Sequence, residues 1–290
     1  MPVVQTLHNY RLLCPAATLY RDGHVCEDCL GKTPPWPGVL HACYRGSRSQ
    51  TAVVATMLTI HRWLKTWQKQ VDLYIALTEF ARQKFIEGGL PAEKIVVKPN
   101  FVNHDPGVGE VDGRYALFVG RLSPEKGVRT LLGTWKKLKG VSLKMVGDGP
   151  LMAEVRMQVG QLSDVEVLGR CCHQEVVDLL KEAKFLVFSS ECYEGFPMVI
   201  AEAFACGLPV IASKLGAMAE IVEDGKTGLF FTPGDSENLA EKVGWLWSRP
   251  NEIKRMGKEA RKEYERKYTA EKNCGVLMEV YQKAISSSKE

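Results

Sequence analysis

No stretch of the chain approaches the 18 or more consecutive apolar residues of a membrane span, and its first residues lack the basic-then-apolar order of a secretory leader. A cytoplasmic location is expected. Nine cysteines, an odd number without a leader, argue against a disulfide framework and for reduced thiols or metal ligands. There is no G-x-x-x-x-G-K-[ST] loop, and "VGDGP" (residues 146–150) lacks the third glycine of a dinucleotide fingerprint because Met152 stands there. The net charge of +4 is too small to imply a nucleic-acid partner. Internal repeats and low-complexity segments are absent. What remains is ordinary globular material, 45% hydrophobic and 25% charged over 290 residues, long enough for one large or two modest domains.

From Tyr115 onward, short β-rich apolar runs ("YALFVG", "VSLKMVG", "VEVLG", "KFLVFSS", "PVIAS", "TGLFF") alternate with amphipathic helical segments. Nearly continuous apolar strands between helices predict an α/β fold with a parallel sheet covered on both faces. Six strands fall between Tyr115 and Phe231, a complete Rossmann-like unit over residues 113–250. Residues 1–112 follow the same grammar with only three strands, "VVQTLH", "DLYIALT" and "KIVVKPNF", around a long irregular loop and helices near 50–69 and at "EFARQKFIEGG". Three strands do not easily close a doubly wound domain, so this part reads as the second half of one whose first half is absent. Its end is expected in the Gly-, Pro- and acid-rich residues 103–114. Residues 251–290 predict two or three terminal helices, which could pack back on the first part.

One carboxylate draws attention. Glu202 sits within the apolar helix of "EGFPMVIAEAFACG", eight residues after Glu194. A buried carboxylate costs several kcal/mol unless a fixed internal cation or ligand hydroxyls bond it. Both explanations are open from the residues alone. Glu194 lies in the loop at the carboxyl end of "KFLVFSS", the rim where parallel sheets bind ligands. Arg121 and Lys126, in "FVGRLSPEKG", follow another strand to the same rim and suit a diphosphate clamp. As an isolated pair they would be read as a solvated loop. Gly147 and Gly149 permit close backbone approach to a ligand.

In this combination "VGRLSPEKG", "VGDGP", the E-x7-E element ending at Glu202 and "AFACGLPVIAS" resemble the retaining glycosyltransferases of family 4, the group 1 transferases of two-domain GT-B architecture. The likeness is strong over residues 115 to about 235, and "QTLHNYRLLCP" extends it into the first part. The resemblance implies that Arg121 and Lys126 hold the diphosphate of a nucleoside-diphosphate sugar, and that Glu202 bonds its ribose. It places Glu194 on the transferred sugar, with Gly120, Gly147, Gly149, Gly195 and Phe196 shaping the nucleotide-sugar pocket. His8, closing the first strand, would stand beside the reacting sugar, although a histidine there is more often structural. The implied reaction is transfer with retained configuration to a glycan or lipid-linked acceptor, without a catalytic metal. A noncatalytic donor-binding fragment that needs a second chain is the alternative; a nucleotide-sugar epimerase fits the glutamate spacing less well.

Two features lie outside this frame. Cys14, Cys26, Cys29 and Cys43 form C-x11-C-x2-C-x13-C, which suits a structural zinc site; unrelated buried thiols or one redox pair are the alternatives. Residues 29–71 contain no Asp or Glu but six cations interleaved with aromatics. Residues 45–70 could rest on an anionic membrane or contact an acidic glycan, or the helix there could simply carry one solvated basic face.

Overall fold

The apolar runs of the sequence become strands of two parallel sheets in a computed structural model that describes residues 1–109 and 113–287. The chain divides into unit 1 (Met1–Asn100, Cys192–Phe196 and Glu271–Glu290) and unit 2 (Phe101–Glu191 and Pro197–Ala270). The domain boundary expected at residue 112 falls outside the described residues.

In unit 1, β1 (Val4–Leu7) precedes a two-stranded hairpin, β2 (Tyr20–Arg21) and β3 (His24–Val25), and then come α1 (Trp36–Leu40), α2 (Arg48–Trp63) and α3 (Thr66–Gln70). β4 (Leu73–Ala76), α4 (Glu79–Glu87) and β5 (Ile95–Val97) complete this part. The sheet runs β1-β4-β5, all parallel. The hairpin and α1 occupy what was expected to be irregular loop. The helix expected over 50–69 is split, because Lys65 takes φ 54°, a left-handed conformation that no α-helix continues through. Tyr10, Tyr74 and Phe85 anchor the core on one face of the sheet, with Tyr10 and Phe85 stacked at 5.7 Å between centroids.

Unit 2 alternates strictly. Its elements are β6 (Tyr115–Val119), α5 (Val128–Trp135), β7 (Leu143–Val146), α6 (Met152–Val159), β8 (Val165–Gly169) and α7 (His173–Glu182). They continue with β9 (Ala183–Phe188), α8 (Met198–Ala205), β10 (Val210–Ser213), α9 (Gly216–Ile221), β11 (Gly228–Phe231), α10 (Ser236–Trp247) and α11 (Pro250–Lys267). The six-stranded sheet has the order β11-β10-β9-β6-β7-β8 and every neighbouring pair is parallel, the α/β arrangement that the alternation predicted. From β6 the chain builds outward through β7 and β8. It then crosses back to β9 and builds the other way. β6 and β9 are therefore the neighbouring strands at which the direction of building reverses, the switch point of the sheet.

Two terminal helices follow, within the expected number. α11 lies on α8, where the Arg261 guanidinium holds Asp105 through Nη1 and Nη2 at 2.7 and 2.5 Å and donates to the Ala205 carbonyl at 2.6 Å. That fork keeps the Asp105 carboxyl below its ordinary range. α12 (Ala270–Ser287) belongs to unit 1 and packs Val280 and Ala284 against Leu73 and Ile75. Lys98, buried, donates to Asn273 Oδ1 at 2.7 Å, and Asn273 donates in turn to the Pro99 carbonyl at 2.6 Å. Burial holds the Lys98 pKa below normal.

Candidate functional site

Three loops at the carboxyl ends of β6, β7 and β9 are fitted together by glycines. A Cβ on Gly147, at φ +134°, would stand 1.8 Å from the Gly120 carbonyl oxygen, and one on Gly149 would stand 2.4 Å from that of Leu122. Neither loop could approach so closely with a side chain there. Backbone bonds lock the approach: Gly120 N–H donates to Val146 O at 3.0 Å, Leu122 N–H to Asp148 O at 3.0 Å, and Gly147 N–H to Gly169 O at 2.7 Å. The structure thus gathers Gly120, Gly147 and Gly149 at one rim of unit 2.

Arg121 and Lys126 leave β6 in the same loop. Arg121 is exposed, and among the described residues no carboxylate lies within 4 Å of its guanidinium. Lys126 is half-buried, ending a single 3-10 turn (Pro124–Lys126) before Gly127 at φ 66°. Its main chain is pinned from β9. Ser189 Oγ donates to the Lys126 carbonyl at 2.9 Å, Ser190 Oγ to that of Glu125 at 3.2 Å, and Glu191 N–H to the same Glu125 oxygen at 2.9 Å. Ser213 at the end of β10 extends the chain by donating to Ser190 O at 2.5 Å. These serines were not singled out as site residues. The signal was present in "LVFSS", where two small polar residues end an apolar strand and must find partners once buried.

Glu202 answers the question its helix raised. Its side chain is 16% exposed, and among the described residues its one basic neighbour within 4 Å is the imidazole of His173, whose Nδ1 lies 3.9 Å from Oε1. Among the described residues no Lys or Arg pairs with it. Burial raises the Glu202 pKa, and His173 opposes that rise. His173 opens α7 and is itself exposed; nothing in the local sequence pattern linked it to Glu202, 29 residues away.

The raised value has a testable sign. The fold favours protonated Glu202; that advantage is complete below the ordinary carboxylate pKa and disappears as pH rises through the raised value. Glu202→Gln is therefore expected to melt at a higher temperature than the parent chain at pH 7, with the gain shrinking toward pH 4. Calorimetry across that range checks it, and a variant less stable than the parent at pH 7 contradicts the assignment.

Unit 1 holds the other expected residues. Gly195 lies against β1's exit, since a Cβ there would come within 2.8 Å of the His8 carbonyl oxygen. The backbone of Glu194 accepts a bond from Tyr10 Oη at 3.4 Å, and the Cys192 thiol approaches Glu194 Oε1 at 3.9 Å. Tyr193 packs edge-on against Phe80 with centroids 4.6 Å apart. His8 is exposed, and Glu194 and Phe196 are half-buried. His8, Glu194 and Gly195 are thus brought together within unit 1, while Arg121, Lys126 and Glu202 belong to unit 2.

The zinc expectation for Cys14, Cys26, Cys29 and Cys43 is not met. Among the described residues, no group of three or more His, Cys, Asp or Glu side chains is placed to hold a metal ion. The four thiols are near neighbours, since Cys14, Cys43 and Cys26 all act on the charge state of Cys29. Burial pushes Cys29 up to about 11 and raises Cys26 and Cys43 as well. Arg21 stands beside them, paired with Asp28 at 2.9 Å.

Residues 113–249 match the family of glycosyl transferases group 1, a segment that contains Arg121, Lys126 and Glu202. The chain is 34% identical over 213 residues to the glycosyltransferase MJ1178 of Methanocaldococcus jannaschii, a match covering 73% of this chain and 59% of that protein. It is 32% identical over 163 residues to the D-rhamnosyltransferase WbpZ of Pseudomonas aeruginosa, covering 54% of this chain and 42% of WbpZ. The match therefore spans 59% of the first relative's length and 42% of the second's. Among solved structures, Alr3699/HepE of Anabaena, in complex with UDP and glucose, superposes with a TM-score of 0.73 at 21% identity, covering 97% of this chain and 71% of that one. That likeness shows the α/β fold of GT-B glycosyltransferases.

Proposed function

We propose that the chain binds a nucleoside-diphosphate sugar and serves in retaining transfer of its sugar to a glycan or lipid-linked acceptor. The observation that carries this reading is the Glu202 carboxylate, largely buried yet unmatched by any internal Lys or Arg among the described residues. A half-dry acceptor group of that kind suits the paired hydroxyls of a ribose, which would supply the missing donors. Arg121 and Lys126 stand where a diphosphate meets the switch point of the sheet, and would stabilise charge developing on the leaving phosphate. The family resemblance gives Glu194 the hydroxyls of the transferred sugar and sets His8 next to the reacting sugar. UDP in the Anabaena neighbour supports a nucleotide of this class.

The test is a thermal-shift panel of nucleoside diphosphates and their sugars, followed by assay of nucleotide release with and without acceptor glycans. At about 100 times Kd a bound donor adds roughly 2.7 kcal/mol of stability, readily seen as a rise in Tm. Glu202→Gln should lose most of that rise while melting higher on its own. No shift with any nucleotide would end the proposal. A second reading is that the chain binds the donor without catalysing transfer by itself. Donor-induced stabilisation without turnover selects it.

A further inference from the structure

The apolar surface of α1 and α2 is unused by anything above. One stripe of α2, Thr51, Ala55 and Leu58, is buried in unit 1. A second stripe, Val53, Met57, Ile60 and Leu64, recurs at helical spacing and is exposed, Val53 by 71%. Trp63 at 80% and Trp36 at 56% flank it. Between the helices runs a groove of about 550 Å³ whose walls include Trp36, Leu40, Ala52 and Ile60, with Arg48 at its edge. Contiguous exposed apolar surface of this kind marks an interaction site.

Charge identifies the occupant. Residues 29–71 carry six cations and no Asp or Glu, where the chain's average would place about five acids. Lys32, Arg45, Arg48, Lys65 and Lys69 are exposed, and among the described residues no ion pair engages Arg48, Lys65 or Lys69. Lys32 lies over the Trp36 ring at 5.5 Å. A second copy of this face would bring like charges together, which disfavours self-association. An apolar stripe edged by tryptophans and by long basic side chains is the pattern of an element lying in the headgroup layer. No helix among the described residues is long and apolar enough to cross a membrane, so contact would be with one surface.

We infer that this face docks on an anionic lipid bilayer, the α2 stripe and both tryptophans entering the interface while Arg48, Lys65 and Lys69 meet lipid phosphates. The inference is independent of donor chemistry.

Flotation of the purified chain with vesicles of phosphatidylcholine containing 30% phosphatidylglycerol tests it. Binding is expected at low salt, weaker at high salt and on phosphatidylcholine alone, with a blue shift of tryptophan emission. Ile60→Asp and Arg48→Glu should each lower the bound fraction at least about tenfold with Tm unchanged, since both side chains are exposed. Absence from anionic vesicles at low salt overturns the inference. So do variants that float like the parent, or concentration-dependent self-association that Ile60→Asp abolishes, which would assign the face to a second copy. The nucleotide thermal shift fails or succeeds separately.

Discussion

Lys126→Ala is expected to lower kcat for sugar transfer by about 10²- to 10³-fold, the scale of removing one preorganised stabiliser of developing charge. The main chain that carries this lysine is held by Ser189 and by neighbouring bonds to Glu125, so truncating the side chain leaves the loop in place. Tm in the absence of nucleotide should therefore move little. Arg121→Ala should follow the same course, and the double variant should fall short of the product of the two losses because both cations would serve one diphosphate. Where the isolated chain shows no turnover, the reading is taken from the nucleotide-induced rise in Tm, which Lys126→Ala should largely remove. A variant with parental kcat and parental nucleotide response would leave the clamp without support.

The largest structural effect is expected from Gly147→Val. The position has φ +134° and its Cβ would stand 1.8 Å from the Gly120 carbonyl oxygen, so the substitution meets backbone strain and a collision with main chain that no rotamer relieves. Such combined penalties reach about 3 kcal/mol or more, a fall in Tm of about 10 °C for a chain of this size. Gly140→Ala is the control. Gly140 also has positive φ, +67°, but nothing lies within 4 Å of its added Cβ, so only about 1–2 kcal/mol of conformational cost remains. Equal melting temperatures for the two variants would show that the β6 and β7 loops are not locked together as described.

The strands of unit 2 were legible because each is a short apolar run, five of the six ended by Gly or Ser, and burial on both faces demands that composition. Glu202 was legible for the opposite reason, as the one charge in an apolar helix. Other features leave no local trace. β2 and β3 have two residues each, too few for a period to appear. α1 contains Pro37 and Gly38, which read as loop. The split at Lys65 depends on a backbone angle that Lys rarely takes. His173 meets Glu202 only because α7 and α8 pack together. The cysteine spacing was visible, but whether four sulfurs close around an ion depends on their neighbours, and Arg21 sits among them. The placement of α12 in unit 1 joins residues about 175 positions apart, beyond any pattern in a window.

That last helix bears on how the protein is made. Lys98 finds its carboxamide partner only in Asn273, and Leu73 and Ile75 are covered by Val280 and Ala284. A ribosome releasing this chain in order delivers all six strands of the later sheet before the cover of the earlier one has left the exit tunnel. Unit 1, although translated first, is finished last, and until then a buried-to-be ammonium and an apolar sheet face stand exposed to water and to chaperones.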